Sequence, residues 1–240
     1  MKFSKTTRCF ALACFGLLIA NLAFAHPIHT LVLVNDRQRQ NCKSEPSEEA
    51  KEVCFNYVEN EDQILRLLKH VKGKFPEILS IQFESDVKIS DRIVQAIATD
   101  FTHLKSLSIY KYDSIMSAAY FISQLKELKR LHIGYQSGFG ALEFTFFKDL
   151  PKLRELHLSS VSTLSDSYIS ELEKLEKLRR LEIRGGRLTP EGIKNFSRFS
   201  KLKSLRITEN LEVIPAGTID AFKGHRYLRH NDNLTLGNAP

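Results

Sequence analysis

A stack of strand–helix repeats, an α/β fold, is what this sequence predicts, and three observations predict it. The first is a six-residue pattern that recurs six times. It reads Ile78-Leu-Ser-Ile-Gln-Phe83, Leu104-Lys-Ser-Leu-Ser-Ile109, Leu128-Lys-Arg-Leu-His-Ile133, Leu153-Arg-Glu-Leu-His-Leu158, Leu178-Arg-Arg-Leu-Glu-Ile183 and Leu202-Lys-Ser-Leu-Arg-Ile207, with starts 26, 24, 25, 25 and 24 positions apart. Self-similarity at such a period marks units that bury their apolar faces only against their neighbours. The second is the apolar spacing between hexads, which is helical. The third is a set of hydroxyl–acid pairs at equivalent places, where helices would start.

The 240-residue chain begins with Lys2, Lys5 and Arg8, an apolar run from Cys9 to Phe24, and Ala23-Phe24-Ala25 before His26. A basic start, an apolar middle and small residues at minus three and minus one make a secretory signal over 1–25. The apolar run approaches the roughly 20 residues of a spanning helix, but its Ala-x-Ala ending favours cleavage. Removal takes away three basic and no acidic residues and lowers the formal charge from +7 to +4. The remaining basic residues are interleaved with Glu, as in Glu171-Leu-Glu-Lys-Leu-Glu-Lys-Leu-Arg-Arg180. That reads as a solvated helix face, and no nucleic-acid partner is expected. No further membrane segment follows, so the mature chain is expected to be periplasmic or extracellular.

Residues 26–75 read as an N-terminal cap. His26 to Val34 is extended and apolar, in phase with the repeats and two periods before Ile78. Residues 35–51 are polar and read as a loop. Val53 to Val58 falls one period before Ile78 and is followed by Ile64, Leu65, Leu67, Leu68 and Val71 at helical spacing, an atypical first repeat. Cys42 and Cys54 are the two cysteines left after cleavage, and an even pair in an exported chain points to one disulfide.

The regular repeats occupy 76–210. Each hexad alternates too strictly for a helix and is read as a short parallel strand. Between hexads, Ile93, Val94, Ile97 and Phe101, then Ala118, Phe121, Ile122 and Leu125, then Ile169, Leu172 and Leu175, then Ile193, Phe196 and Phe199 predict helices of about three turns. Ser90-Asp91, Ser165-Asp166 and Thr189-Pro190-Glu191 place a hydroxyl at each N-cap. Phe144 to Leu150 is shortened by Gly138, Gly140 and Pro151. Gly185-Gly186 reads as a tight exit from a strand. Residues 211–240 form the C-terminal cap, with a degenerate strand within Tyr227 to Leu236.

These repeats resemble leucine-rich repeats over about residues 53 to 236. The length and the helix starts Leu164-Ser-Asp166 and Leu188-Thr-Pro190 are similar to the helical, ribonuclease-inhibitor-like or cysteine-containing subclasses. The resemblance implies a curved right-handed solenoid, a horseshoe, with a concave parallel β-sheet and convex helices. One departure bears on its inner hydrogen bonding. The Asn or Cys that many such repeats place three residues after the last strand residue occurs only as Asn210, while Asp86, Tyr112, Gln136, Val161 and Gly186 stand elsewhere.

Alternation also says which residues face outward: the third, fifth and seventh of each repeat. One row is Ser80, Ser106, Arg130, Glu155, Arg180, Ser204. The next is Gln82, Ser108, His132, His157, Glu182, Arg206, and the last Glu84, Tyr110, Gly134, Ser159, Arg184, Thr208. Tyr110, Arg130, His132, Glu155, His157, Arg180, Glu182, Arg184 and Arg206 are the candidate ligand-binding residues, because Tyr and Arg are enriched at binding hot spots. The same polarity would also arise simply from keeping a concave face soluble. His132 and His157, side by side near Arg130, are expected to resist double protonation near their normal range.

No G-x-S-x-G, H-E-x-x-H or phosphate-binding glycine loop is present, so catalysis is not expected. His26-Pro-Ile-His29 is similar to the copper brace of oxidative polysaccharide-cleaving enzymes. Nothing else in the chain resembles those enzymes, and the stretch reads as ordinary residues after a cleavage site. No metal or other cofactor is expected. Two sequons, Asn195-Phe-Ser197 and Asn233-Leu-Thr235, matter only in a eukaryotic secretory pathway. The function expected is a non-catalytic secreted scaffold that recognises a protein or peptide ligand. The alternatives are an enzyme inhibitor acting by ribonuclease-inhibitor-like wrapping and a structural cell-envelope protein.

Overall fold

The structure is a computed structural model, and it describes residues 31–34, 51–55, 58, 60–84, 87–112, 115–134, 145–225 and 234–238. The signal segment, His26 to His29 and Cys42 lie outside these residues. Among the described residues there are eleven strands: β1 (Leu31–Val34), β2 (Glu52–Phe55), β3 (Ser80–Phe83), β4 (Lys88–Ile89), β5 (Ser106–Ile109), β6 (Lys111–Tyr112), β7 (Arg130–Gly134), β8 (Glu155–Ser159), β9 (Arg180–Arg184), β10 (Ser204–Asn210) and β11 (Leu234–Asn238). Nine of them form one sheet in the order β1-β2-β3-β5-β7-β8-β9-β10-β11, and β4 pairs with β6 in a second. From β2 to β11 every neighbour in the large sheet is parallel.

Each hexad enters its strand through the same backbone device. Its first residue donates to the carbonyl three residues earlier, as Leu104 does to Phe101 (2.9 Å), Leu128 to Leu125 (3.0 Å), Leu153 to Leu150 (3.1 Å), Leu178 to Leu175 (2.9 Å) and Leu202 to Phe199 (2.9 Å). The fourth and sixth residues then point into the core. Leu156 and Leu158 are both fully buried, as are Leu107, Ile183, Leu205 and Ile207. Full burial of such a side chain contributes about 1.5–3 kcal/mol, so the repeated pattern is the main stabilising term. Phe55 and Phe83 stack across β2 and β3 with ring centroids 4.8 Å apart.

The helices α1 (Glu61–Lys74), α2 (Asp91–Asp100), α3 (Ile115–Ser123), α4 (Ile169–Glu173) and α5 (Pro190–Asn195) close the other side of this core. Ser90 caps α2 by accepting from Ile93 N (3.4 Å), and Thr189 caps α5 by accepting from Gly192 N (3.1 Å). Asn60 caps α1 in the same way through Gln63 N (3.0 Å).

Three expectations are corrected. Ser165 makes no capping bond. The acid beside it acts instead across repeats: Asp166 accepts from Thr189 N (3.0 Å) and Thr189 Oγ1 (2.6 Å). The later helices also fall short of three turns. A 3-10 turn Asp166–Tyr168 precedes the five residues of α4, and a 3-10 turn Phe196–Arg198 ends α5. Tightening the helix end lets the chain drop to the next strand within a fixed repeat length. Over Thr145–Asp149 the chain is wholly 3-10, with Phe146 and Phe147 buried. Lastly, β1 is in phase with the repeats in sequence but pairs antiparallel with β2, Leu31 opposite Phe55 and Val34 opposite Glu52. Parallel pairing needs a crossover of a dozen or more residues that usually includes a helix, and the polar residues between β1 and β2 have no helical apolar spacing.

Asn210 is 1% exposed, and its amide makes three bonds. Oδ1 accepts from Leu188 N (2.9 Å), while Nδ2 donates to Leu188 O (2.8 Å) and Glu212 O (2.9 Å). At the equivalent places Tyr112 and Val161 are buried apolar groups. Tyr112 Oη reaches the Asp91 carboxylate. Among the described residues the inner amide bonding is seen at Asn210, with hydrophobic packing substituting at Tyr112 and Val161.

Candidate functional site

The face of the sheet away from the helices is open, and the three outward rows stand in register. Arg130, Glu155, Arg180 and Ser204 are direct partners across β7 to β10, as are His132, His157, Glu182 and Arg206. In the third row, Gly134, Ser159, Arg184 and Thr208 align likewise. Tyr110 sits one residue beyond β5, and its ring meets that of His132 edge-on at 4.3 Å. Gly134 gives this ring its space, since a Cβ there would lie 3.3 Å from Tyr110 Cδ1.

Two groups of candidate residues result. The first is aromatic and imidazole. Tyr110, His132 and His157 follow one another across the sheet, with the two imidazole centroids 5.3 Å apart. His132 Nε2 lies 3.0 Å from Ser159 Oγ. Burial, with His157 adding to it, pushes the His132 imidazole down to about 4. The expected resistance to double protonation keeps its direction but not its main cause: His132 stays neutral at mildly acidic pH chiefly because it is desolvated, and His157 contributes the smaller part. Burial, and after it the Glu84 carboxylate, raise the Tyr110 phenol above its ordinary value.

The second group is ionic. Glu155 pairs with Arg180 (3.3 Å), and Glu182 lies between His157 (3.6 Å) and Arg206 (4.0 Å). Arg184 pairs with Glu209 (2.6 Å), a partner the alternation did not show because Glu209 stands past the seventh position, at φ 55°. These are half-exposed pairs, screened by solvent and weak singly. Their charges remain available to a ligand that offers better geometry.

A hollow of about 450 Å³ opens beside this second group, between His157, Arg180, Glu182, Arg206 and Thr235. Glu155 and Ser204 also line it. Thr235 comes from β11, opposite Arg206. Five of the nine candidate residues thus converge on one concavity: Glu155, His157, Arg180, Glu182 and Arg206. Tyr110, His132 and Arg184 lie outside its lining, and Arg130 faces a different hollow. Arg130 Nε donates to Ser106 Oγ at 3.4 Å.

Cys54 is buried on β2, its Sγ 3.5 Å from Glu84 Oε1, while its expected partner Cys42 lies outside the described residues. Among the described residues, no three or more His, Cys, Asp or Glu side chains converge as a metal site would need. No helix among them is long and apolar enough to cross a membrane.

Parallel sheet, single-sided helices and polar open face together define the class, a leucine-rich-repeat solenoid of α/β type. Among solved structures the chain is similar to an internalin (inlF) from Listeria monocytogenes, at 13% identity and TM-score 0.50 over 80% of this chain and 48% of that one. It is also similar to human 5T4, the trophoblast glycoprotein or Wnt-activated inhibitory factor 1, at 17% identity and TM-score 0.52 over 82% of this chain and 79% of that one. Both are leucine-rich-repeat proteins, and the chain spans about half the length of the internalin. No family model matches the chain, and no curated protein matches it. At these identities the likeness shows the fold alone.

Proposed function

We propose that this protein is an exported, non-catalytic binding scaffold that recognises a protein or peptide segment on the concave, open face of its sheet. The observation that carries this reading is the convergence of Glu155, His157, Arg180, Glu182 and Arg206 on one hollow. Solenoids present extended surfaces of this kind to partners, and a hollow with both charge signs on its walls suits a segment of mixed charge. Its ion pairs are exposed enough to be exchanged for intermolecular ones, so specificity comes from matching charge positions more than from buried area. The surface or host role of the complex, the Cys42–Cys54 disulfide and cleavage after Ala25 belong to the same proposal.

The test uses the purified protein and an Arg180→Glu, Arg206→Glu variant, each immobilised and exposed to candidate partner proteins. A partner held through this hollow is retained by the first and lost by the second. Equal retention by both, with both folded by circular dichroism, would remove the hollow as the binding surface.

A further inference from the structure

The hexads carry a second regularity on their second residue. Lys105, Lys129, Arg154, Arg179 and Lys203 follow the first leucine of five consecutive repeats. The backbone stacks them into a line. Lys129 N donates to Lys105 O (2.8 Å), Arg154 N to Lys129 O (2.8 Å), Arg179 N to Arg154 O (2.8 Å) and Lys203 N to Arg179 O (2.7 Å). The sequence interleaves these cations with acids, but the fold sorts them into one row along the edge where the strands begin.

That row is open to solvent and lightly neutralised. Arg154, Arg179 and Lys203 are exposed, while Lys105 and Lys129 are partly so. Lys105, Arg154 and Arg179 form no ion pair with a carboxylate among the described residues, and Lys129 adds only the smallest of the attractions on Glu127, behind Lys152 and His103. Lys51, Lys105, Lys129, Arg130 and Arg154 together line a hollow of about 310 Å³. Its two carboxylates are already engaged: Glu52 accepts from Ser80 Oγ (3.0 Å) and Glu155 pairs with Arg180. On the convex side of the row, Lys152, Lys177 and Lys201 are exposed and add charge of the same sign. Glu127 there is held by Lys152 (2.5 Å), and Glu77 and Glu176 are exposed acids at the equivalent turns.

We propose that this edge binds a linear anionic polysaccharide, sulfated or carboxylated, laid along the row with one anionic group near each rung. Adjacent rungs are one strand spacing apart, about 4.8 Å. One sugar of an extended chain advances a similar distance, so its charges stay in step over all five rungs. A nucleic-acid strand, with a phosphate at about 3.4 Å intervals in the duplex, drifts out of step. No rung is aromatic, so the stacking platform that single-stranded nucleic acids use is missing from the row. This row adjoins the mixed-charge hollow between His157 and Thr235 and shares Glu155 with it, but none of its five cations lines that hollow.

The experiment measures binding of heparin, as a model sulfated chain, to the protein across a salt series, with oligothymidylate and neutral dextran in parallel. Five charge contacts predict a slope of log affinity on log salt of about three, so that a fourfold rise in salt weakens binding roughly 60-fold. A Lys105→Gln, Lys129→Gln, Arg154→Gln, Arg179→Gln variant is expected to bring the slope below about one. A charge-matched control, Lys69→Gln, Lys72→Gln, Lys148→Gln, Arg198→Gln, keeps the wild-type slope, and Lys105→Arg, Lys129→Arg retains binding. Three outcomes each overturn the proposal: equal loss in the row variant and the control, no loss in a row variant that circular dichroism shows folded, or oligothymidylate binding as tightly as heparin.

Discussion

Asn210 offers the sharpest test of how the C-terminal repeats are held. Replacing it with Ala removes three hydrogen bonds and strands Leu188 N–H and C=O, on a residue that is fully buried. A bond between neutral groups contributes about 1 kcal/mol net, and a buried polar group left without a partner costs about 1–3 kcal/mol. The expected loss is therefore about 3–4 kcal/mol. Asn210→Asp separates the two roles of the amide. It keeps the acceptor for Leu188 N but sets a carboxylate against Leu188 O and Glu212 O, so at neutral pH it is expected to be at least as damaging as Ala. Urea denaturation gives the free energies, and hydrogen exchange at the Leu188 amide reports the local opening. A loss below about 1 kcal/mol for Asn210→Ala, with the Leu188 amide still protected, would refute the reasoning.

Three further outcomes follow from the same geometry. His132 has a folded value of about 4 against about 6.5 in the unfolded chain, so its contribution is complete above pH 6.5 and is lost as pH falls through about 4. Relative to His132→Gln, wild-type stability measured by urea denaturation should drop by about 2 kcal/mol between pH 7 and pH 4.5, after allowance for partial solvent screening. Parallel curves for the two proteins would contradict that. Gly192→Ala places a Cβ against the Asp166 carboxylate and forces it off Thr189, which outweighs the gain of about 1 kcal/mol in helix propensity. Thermal melts should show it destabilising by about 1 kcal/mol, and stabilising once Asp166→Ala is already present. Ser160 holds a left-handed φ of 57°, so Ser160→Gly should raise stability by about 0.5–1 kcal/mol.

The periodic part of the fold was legible in the hexads because a strand of alternating Leu and Ile has only one side to bury. The register follows from it, and Arg130 beside Glu155 or His132 beside His157 needed no further information. What the residues concealed were effects between repeats. Asp166 looked like an acid in the first turn of its own helix but serves the cap of the next one. Glu209 escaped notice because its left-handed backbone turns it toward Arg184, outside any alternation rule. Thr235 could not be placed because its strand lacks the hexad pattern. The basic row was visible letter by letter, yet charges spaced along the chain read as mixed until stacking separates them.

The joint that begins each hexad has a consequence for how such a chain changes over generations. Because the same three-residue-back bond recurs from Phe101–Leu104 to Phe199–Leu202, the ends of a repeat are interchangeable at the level of the main chain. Cutting at two of these joints and rejoining them deletes or duplicates one whole module without leaving a mismatched seam. Array length is then a quantity that recombination can adjust in steps of 24 or 25 residues, while substitutions at the outward positions tune each module separately.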